Sequence, residues 1–138
     1  MIIKFKKLLD NAKTPEYAHP TDAGCDLSAA AMELSNTHVI YDTGLSVEIP
    51  EGYVGLIFPR SSVYKTGMSL TNSVGVIDSG YRGSIKVIFK LGEVTSTYRV
   101  GDRVCQLIIL PYPKVTFEET ESLSDSDRGD GGFGSTGK

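Results

Sequence analysis

The sequence predicts an all-β domain, and three features of its pattern carry that prediction. Fifteen glycines and six prolines interrupt the 138 residues at short intervals, which leaves no room for a long helix. Between them lie short segments that alternate polar and apolar residues, and others that are almost continuously apolar. Short strands separated by glycine and proline turns at this density are typical of a β-sandwich or β-barrel.

Four segments have the clearest strand character. The segments from Leu45 to Ile49 and from Ser84 to Leu91 alternate apolar and polar residues, so each is predicted to bury one face. The segments Tyr53–Phe58 and Val104–Leu110 are nearly continuous apolar runs. We therefore predict that these two are strands covered on both faces.

Size and charge exclude several classes of function. At 138 residues and 14.9 kDa the chain is long enough for one compact domain. Fourteen basic against seventeen acidic residues give a net charge of −3, whereas nucleic-acid-binding domains cluster Lys and Arg. The longest apolar run, around Leu107–Leu110, is far shorter than the roughly 20 residues of a membrane-spanning helix. The N-terminus lacks the apolar core of a signal peptide, so we expect a cytosolic protein with no nucleic-acid or membrane partner.

The cysteines and histidines do not predict a metal site. Cys105 lies inside the apolar run Val104–Leu110, which predicts a buried and inert thiol. Cys25, His19 and His38 are scattered along the chain without the CxxC or HxxxH spacing of zinc ligands. We therefore expect no zinc site.

The composition changes sharply near residue 118. An acidic, serine-rich stretch is followed by a glycine-rich end, and neither can form a core. The sequence thus predicts a β-barrel core over residues 1–117 and a linker with a mobile arm over residues 118–138. A solubilising disordered tail is the alternative interpretation of such a segment. The arm nevertheless carries one aromatic ring, one guanidinium and two hydroxyls, as a lid over an anionic ligand with a flat ring would: Phe133, Arg128, Ser135 and Thr136.

Two further segments place polar residues at predicted turns in the first half of the chain. Asp22 and Asp26 flank a glycine, where they are either turn formers or carboxylates near a metal ion or its water shell. A helical turn is predicted at Ser62–Thr66, with Ser61 as its N-cap and a glycine just beyond its end, Gly67. The free N–H groups of such a turn, together with the guanidinium of Arg60, suit a phosphate.

Two more such segments lie in the second half. The third segment is predicted to be a β-hairpin that turns at Asp78–Gly80. Asp at a turn start is usually structural, but a carboxylate beside Tyr81 at a hairpin mouth can also orient and deprotonate a water. The fourth runs from a Gly-Asp turn into an apolar strand that contains Gln106. Because an unpaired buried amide is costly, Gln106 is predicted to have a dedicated partner, either a backbone group or a ligand.

Taken in order, these segments resemble the five sequence motifs of the trimeric deoxyuridine triphosphatases, the dUTP nucleotidohydrolases. The resemblance runs from about Ala18 to Lys138, and its third and fifth motifs are the most specific. The matching segments are Asp22–Leu27, Pro59–Ser62, Gly75–Gly83, Gly101–Leu107 and Arg128–Gly137. The resemblance implies a distorted jelly-roll β-barrel, a homotrimer with sites at subunit boundaries, and a flexible C-terminal arm. It further implies hydrolysis of dUTP to dUMP and pyrophosphate with Mg²⁺.

The resemblance also implies a role for each matching residue. Asp78 is then the catalytic residue that aligns a water for attack on the α-phosphorus, and Tyr81 is the ring under the deoxyribose that excludes UTP. Asp26 reaches Mg²⁺ through the waters of the ion. The other implied substrate contacts are Arg60, Ser61, Ser62 and Gln106 for the phosphates, Asn72, Gly75, Val76 and Ile77 for uracil, Lys86 for a further nucleotide contact, and Arg128, Phe133, Gly134, Ser135 and Thr136 for the closing arm.

Two other functions stay open on the sequence alone. A dCTP deaminase shares the fold, but it needs a carboxylate aimed at the C4 edge of cytosine, and the predicted hairpin contains no Glu. A non-catalytic or regulatory module on the same fold is expected to lose Asp78, Tyr81 or Arg128, and all three are present. A regulatory protein partner and a cellular or phage origin also stay open.

Overall fold

The structure, a computed structural model, describes residues 1–93 and 96–135. Within these residues the regular elements are ten β-strands and one short 3₁₀ helix. The strands are β1 (Lys4–Lys7), β2 (Cys25–Ser28), β3 (Ala31–Leu34), β4 (His38–Asp42), β5 (Leu45–Glu48), β6 (Tyr53–Pro59), β7 (Met68–Leu70), β8 (Gly75–Ile77), β9 (Lys86–Leu91) and β10 (Arg103–Pro111). The 3₁₀ helix spans Ser61–Lys65 and joins β6 to β7.

The strands form two four-stranded sheets and one two-stranded sheet, and the pairs are antiparallel. The order is β2-β10-β6-β8 in the first large sheet and β3-β4-β9-β7 in the second, while β1 pairs with β5. Most sheet neighbours are distant in sequence, as in jelly rolls. The described residues therefore confirm the predicted all-β fold class.

One hydrophobic core joins the two large sheets. Leu27, Ile57 and Leu107 enter it from the first sheet, and Tyr41 and Phe89 enter it from the second. The Tyr41 and Phe89 rings meet edge to face with their centroids 6.0 Å apart. Such close packing fixes the two sheets relative to each other.

The alternation predicted for Ser84–Leu91 is confirmed in β9. Val87 and Phe89 are buried, whereas Lys86, Ile88 and Lys90 point away from the core and are exposed. Because β9 pairs with β4 on one side and β7 on the other, its backbone is held on both edges. Lys86 itself lies at the end of β9 that pairs with Asp42 of β4, whereas β7 pairs with residues 89–91.

The prediction that β6 and β10 are covered on both faces is wrong for the single chain. Ile57 and Leu107 pair directly and face the core. The neighbouring pair, Leu56 and Ile108, faces the opposite side of the sheet and is only half-buried. Further along this face Leu110 is 44% exposed. The outer apolar strip, as we call it, consists of Val54, Leu56, Phe58, Ile108 and Leu110.

Two local predictions also need correction. The turn at Asp78 is present, since the Tyr81 N–H donates to the Asp78 carbonyl at 3.0 Å, but it is not a hairpin turn. β8 pairs with β6 and β9 pairs with β4 and β7, so this turn links the two large sheets. The predicted helical turn is the 3₁₀ helix, whose N-cap is Arg60 without a side-chain cap, and not Ser61. Gly67 follows its C-cap with φ of +71°, as predicted.

Cys105 is buried, as the sequence predicts. Cys105 is fully buried on β10, and this burial raises the pKa of its thiol to about 12. A thiol with so high a pKa stays protonated at neutral pH; the predicted burial is confirmed, and its low reactivity stays a prediction. Cys25 is also free.

The described residues beyond β10 add nothing to the core. Residues 112–135 form no strand or helix, and each of them except Gly131 is exposed. Their large apolar side chains include Phe117 at 94% exposure and Leu123 at 87%. None of the helical structure in residues 1–93 and 96–135 is long and apolar enough to cross a membrane.

Candidate active site

A cleft of about 390 Å³ opens between β8, the turn that follows it and the start of β9. Its wall contains seven of the predicted site residues: Asn72, Gly75, Val76, Ile77, Asp78, Tyr81 and Lys86. The structure thus brings together the predicted site residues of the third motif, the Asn72 amide and Lys86.

The turn from Asp78 to Tyr81 places the Asp78 carboxylate at the mouth of the cleft. The Asp78 carbonyl accepts the Tyr81 N–H, and the guanidinium of Arg82 donates to the carbonyls of Ser79 at 2.7 Å and Tyr81 at 2.9 Å. These bonds hold the turn from both sides, while the Asp78 residue itself is exposed. The carboxylate is therefore open to water and fixed at its backbone.

Tyr81 has a fixed orientation on the same turn. Its hydroxyl donates to the Ser84 carbonyl at 3.0 Å, and its ring lies over Gly83. A Cβ on Gly83 would collide with the phenol oxygen and lie 2.9 Å from ring carbon Cε2. Only glycine at residue 83 lets the ring take this position.

The loop that enters β8 is strained at one residue. Ser73 has φ of +60°, and it is the one described non-glycine residue with positive φ. The Val74 N–H donates to the Asn72 carbonyl at 2.6 Å, which closes a tight turn around Ser73. Turns of this kind are rare outside glycine and are often found at ligand sites. The loop therefore presents the Asn72 amide beside a constrained backbone.

Lys86 is paired with a carboxylate at the side of the cleft. Its Nζ lies 3.4 Å from Oδ2 of Asp42, and Oδ1 of Asp42 accepts hydrogen bonds from the Ser84 hydroxyl and from the Gly44 N–H at 2.8 Å. Burial alone would raise the pKa of Asp42, but the bonds from Ser84, Gly44 and Lys86 together lower it below its usual value. Asp42 is therefore a carboxylate at neutral pH.

A second cluster surrounds Asp26. Its side chain is 3% exposed, and it accepts from Arg60 Nε at 3.0 Å, from an Arg103 guanidinium nitrogen at 2.9 Å and from Gln106 Nε2 at 3.3 Å. Asp26 lies on β2, so the turn interpretation for this residue is wrong. Gln106 has a dedicated partner, as predicted, but that partner is the Asp26 side chain and not the backbone group or ligand that the sequence favoured. Gly24 makes room for this arrangement, because a Cβ there would lie 3.0 Å from Gln106 Cδ. Two guanidinium groups against one carboxylate leave the cluster positive, as a phosphate site requires.

The arm stays apart from both groups in the single chain. Arg128 Nε donates to the carbonyl of Gly131 at 2.9 Å, Gly134 has φ of +84°, and Phe133 and Ser135 are exposed. Thr136, also predicted at the site, lies outside the described residues. Ser61 and Ser62 lie in the first turn of the 3₁₀ helix beside Arg60. The predicted site residues that the structure describes therefore fall into the cleft, the Asp26 cluster and the arm. None of those in the Asp26 cluster or the arm lines the cleft.

Comparisons with known proteins show the family to which the chain belongs. The family model described as dUTPase matches residues 10–137. The chain belongs to the dUTPase family. It is 44% identical over 140 residues to the deoxyuridine 5'-triphosphate nucleotidohydrolase of Clostridium tetani, covering 99% of this chain and 97% of that protein. The corresponding protein of Leifsonia xyli is 42% identical over 131 residues, covering 91% and 86%.

Solved structures of phage dUTPases have the same fold. The Staphylococcus bacteriophage 80alpha dUTPase with dUPNHPP matches with a TM-score of 0.87 and 31% identity, covering 99% of each chain. A mutant dUTPase from phage phi11 of S. aureus matches with a TM-score of 0.75 and 29% identity, covering 88% of this chain and 98% of that one. That phi11 structure is described as revealing the coordination of a structural Mg(II) ion.

Sequence reasoning did not single out three residues of this dUTPase-family site. Arg103 binds Asp26, Asp42 pairs with Lys86 from the adjacent strand, and the Ser84 hydroxyl donates to Asp42. Arg103 and Asp42 are polar residues at strand ends, and Ser84 lies two residues before β9. In a single sequence such residues are indistinguishable from solvated ones. Strand pairing brings two of them to the site. Asp42 pairs with Lys86, and Arg103 lies in the part of β10 that pairs with β2, the strand that carries Asp26.

Proposed function

We propose that this chain hydrolyses dUTP to dUMP and pyrophosphate, with Asp78 activating the attacking water. One observation supports this best: an exposed carboxylate and a fixed tyrosine ring share a single turn at the mouth of a nucleotide-sized cleft. Because the chain belongs to the dUTPase family, dUTP is the substrate that we assign to this cleft.

Asp78 has the properties of a general base for this reaction. Its carboxylate is exposed to water, and its backbone is held by the hydrogen bond from Tyr81. A positioned carboxylate can accept the proton of the water as its oxygen attacks the α-phosphorus, and pyrophosphate then leaves. Most of the remaining acceleration comes from positioning and from stabilising the phosphate charge.

Base and sugar recognition are assigned to the rest of the cleft. The Asn72 amide and the backbone of Gly75, Val76 and Ile77 are proposed to hydrogen-bond the edge of uracil. The Tyr81 ring, held by Ser84, is proposed to pack under the deoxyribose so that a 2′-hydroxyl does not fit. A wall of fixed backbone suits this task because its N–H and C=O groups cannot rotate away.

The positive cluster is proposed to bind the phosphates through Arg60, Ser61, Ser62 and Gln106. A Mg²⁺ ion at this site would be held mainly by the phosphates of the substrate, because the described residues contain no group of three or more His, Cys, Asp or Glu able to hold a metal. Asp26 would hold the ion through water, since its Oδ2 accepts a hydrogen bond from Arg103 and a carboxylate oxygen can accept two. When bound, the ion neutralises phosphate charge.

A homotrimer with shared sites is proposed from the outer apolar strip. Phe58 pairs with Gln106, and Gln106 pairs with Asp26, so the strip and the positive cluster lie on the same face of the sheet. A second copy that covers the strip would therefore reach the cluster. Such an assembly would explain why one chain separates its cleft, its cluster and its arm.

The domain organisation follows from this assembly. Residues 1–117 are proposed to form the barrel core, and residues 118–138 a linker and an arm that closes the site of a neighbouring copy with Phe133 over uracil. Arg128, Ser135 and Thr136 would contact the terminal phosphate, and Gly134 is proposed as a further substrate contact of the arm. We propose the cytosol as the compartment.

Pyrophosphate release tests the proposed function. The purified chain is assayed with Mg²⁺ on dUTP, dTTP, dCTP and UTP, with ammonia release from dCTP measured in parallel. We expect dUTP to be preferred over each of the others by at least about tenfold in kcat/KM, the scale of one pocket contact. Ammonia from dCTP, or equal turnover of dUTP and UTP, would contradict the proposal.

A further inference from the structure

Asp42 lies behind the cleft and does not line it. It is the last residue of β4, and the strand register places it directly opposite Lys86 of β9. Its side chain is 22% exposed, so it is largely shielded from solvent. A carboxylate in such a place needs partners, and it has three.

The three partners of Asp42 connect it to the cleft. The Gly44 N–H, at 2.8 Å, anchors the carboxylate to the backbone that follows β4. The Ser84 hydroxyl donates to the same oxygen, and the Lys86 ammonium lies 3.4 Å from the other. Ser84 and Lys86 both line the cleft. One carboxylate on a rigid strand thus holds two residues of the wall.

The restraint extends to the sugar-binding ring through the backbone. The Ser84 carbonyl accepts the hydroxyl of Tyr81 at 3.0 Å, so fixing Ser84 also fixes the acceptor that orients the ring. Lys86 has a long, flexible stem, and 57% of its side chain is exposed. Without a carboxylate beside it, its ammonium would be free to sample solvent.

We propose that Asp42 is a positioning residue for dUTP hydrolysis, one that holds Lys86 and Ser84 in place without touching the substrate. The proposal rests on the proposed function, because it needs Lys86 to contact the nucleotide. Asp42→Asn tests it, since an amide keeps an oxygen for Gly44 and Ser84 but removes the charge that attracts Lys86.

The experiment is a double-mutant cycle with Asp42→Asn, Lys86→Met and the double variant. We expect Asp42→Asn to lower kcat/KM for dUTP by roughly tenfold, within the range of directly contacting groups. In the Lys86→Met background the same substitution should change kcat/KM by less than about twofold, because no ammonium is left to hold. Glu33→Gln, an equal charge change at an exposed residue of β3 in the same sheet, should leave kcat/KM unchanged.

Each outcome of the cycle decides the proposal. If the losses multiply in the double variant, or if Asp42→Asn alone changes kcat/KM by less than about twofold, Asp42 does not position Lys86. A loss caused only by poorer folding would persist in the Lys86→Met background, so it would also contradict the proposal. Absence of dUTP turnover by the unsubstituted chain would instead overturn the proposed function, and this role with it.

Discussion

Replacing Gly83 by Ala should lower the selectivity for dUTP over UTP strongly, while it lowers the free energy of unfolding only by about 1 kcal/mol. The new Cβ would collide with the Tyr81 phenol oxygen and lie 2.9 Å from ring carbon Cε2. The ring is the far end of a residue that is 44% exposed, so it can move away. It then loses the hydrogen bond to the Ser84 carbonyl, which contributes about 1 kcal/mol to the free energy of unfolding.

The effect on activity follows from the same displacement. If the Tyr81 ring is what excludes the 2′-hydroxyl, its movement should lower the ratio of kcat/KM for dUTP over UTP by about tenfold or more. The assay is pyrophosphate release with both nucleotides, alongside urea unfolding of the same preparations.

A matched control lies in the same turn. A Cβ on Gly80 has no atom within 4 Å, so Gly80→Ala should keep the selectivity of the unsubstituted chain. Two results would refute the reasoning: an unchanged dUTP/UTP ratio in Gly83→Ala, or an equal fall of the ratio in Gly80→Ala.

Three further predictions concern the carboxylates. Asp78→Asn should lower kcat for dUTP by about 10²–10⁴-fold while nucleotide affinity, measured by calorimetry, stays nearly the same; a near-normal kcat would place the base elsewhere. Asp26→Ala should lower the free energy of unfolding by about 2–3 kcal/mol, which is less than for a fully enclosed ion pair because Arg103 is half-exposed. As a control, Asp22→Ala, which removes an exposed pair with His19, should lower it by less than about 1 kcal/mol. Because the folded pKa of Asp42 is lowered, its contribution to stability is present above about pH 4 and is lost as the pH falls further. The difference in unfolding free energy between the unsubstituted chain and Asp42→Asn should therefore shrink below about pH 4, and a difference that persists there would contradict the cause given for the shift.

The strands that bury one face are predictable because a local pattern determines them. In β9 the buried Val87 and Phe89 alternate with exposed residues, and this alternation is visible in the sequence alone. The apolar runs of β6 and β10 predict strands covered on both faces, yet Leu56 and Ile108 stay half-buried. An apolar run indicates that its residues become buried, but it does not indicate whether the same chain or another copy buries them.

Long-range pairing limits what the sequence reveals about the site. The turn at Asp78 is predictable from local turn chemistry, but its supposed hairpin partner lies in the other sheet. Asp26 follows a glycine turn in sequence, and only the pairing of β2 with β10 brings it to Arg103 and Gln106. Asp42 escapes sequence reasoning for the same cause, since its role depends on the β4–β9 register.

A mixing experiment tests most directly whether chains share a dUTP-hydrolysing site. One variant, Asp78→Asn, has an intact arm, and the other, Arg128→Ala with Phe133→Ala, has an intact Asp78. Each is expected to be inactive by itself, and the two are refolded together in equal amounts, with mixed trimers confirmed by native mass spectrometry. If the arm closes a neighbour's site, about one quarter of the sites combine a good Asp78 with a good arm, and pyrophosphate release from dUTP recovers to that extent. Mixed trimers that stay inactive would contradict the shared site.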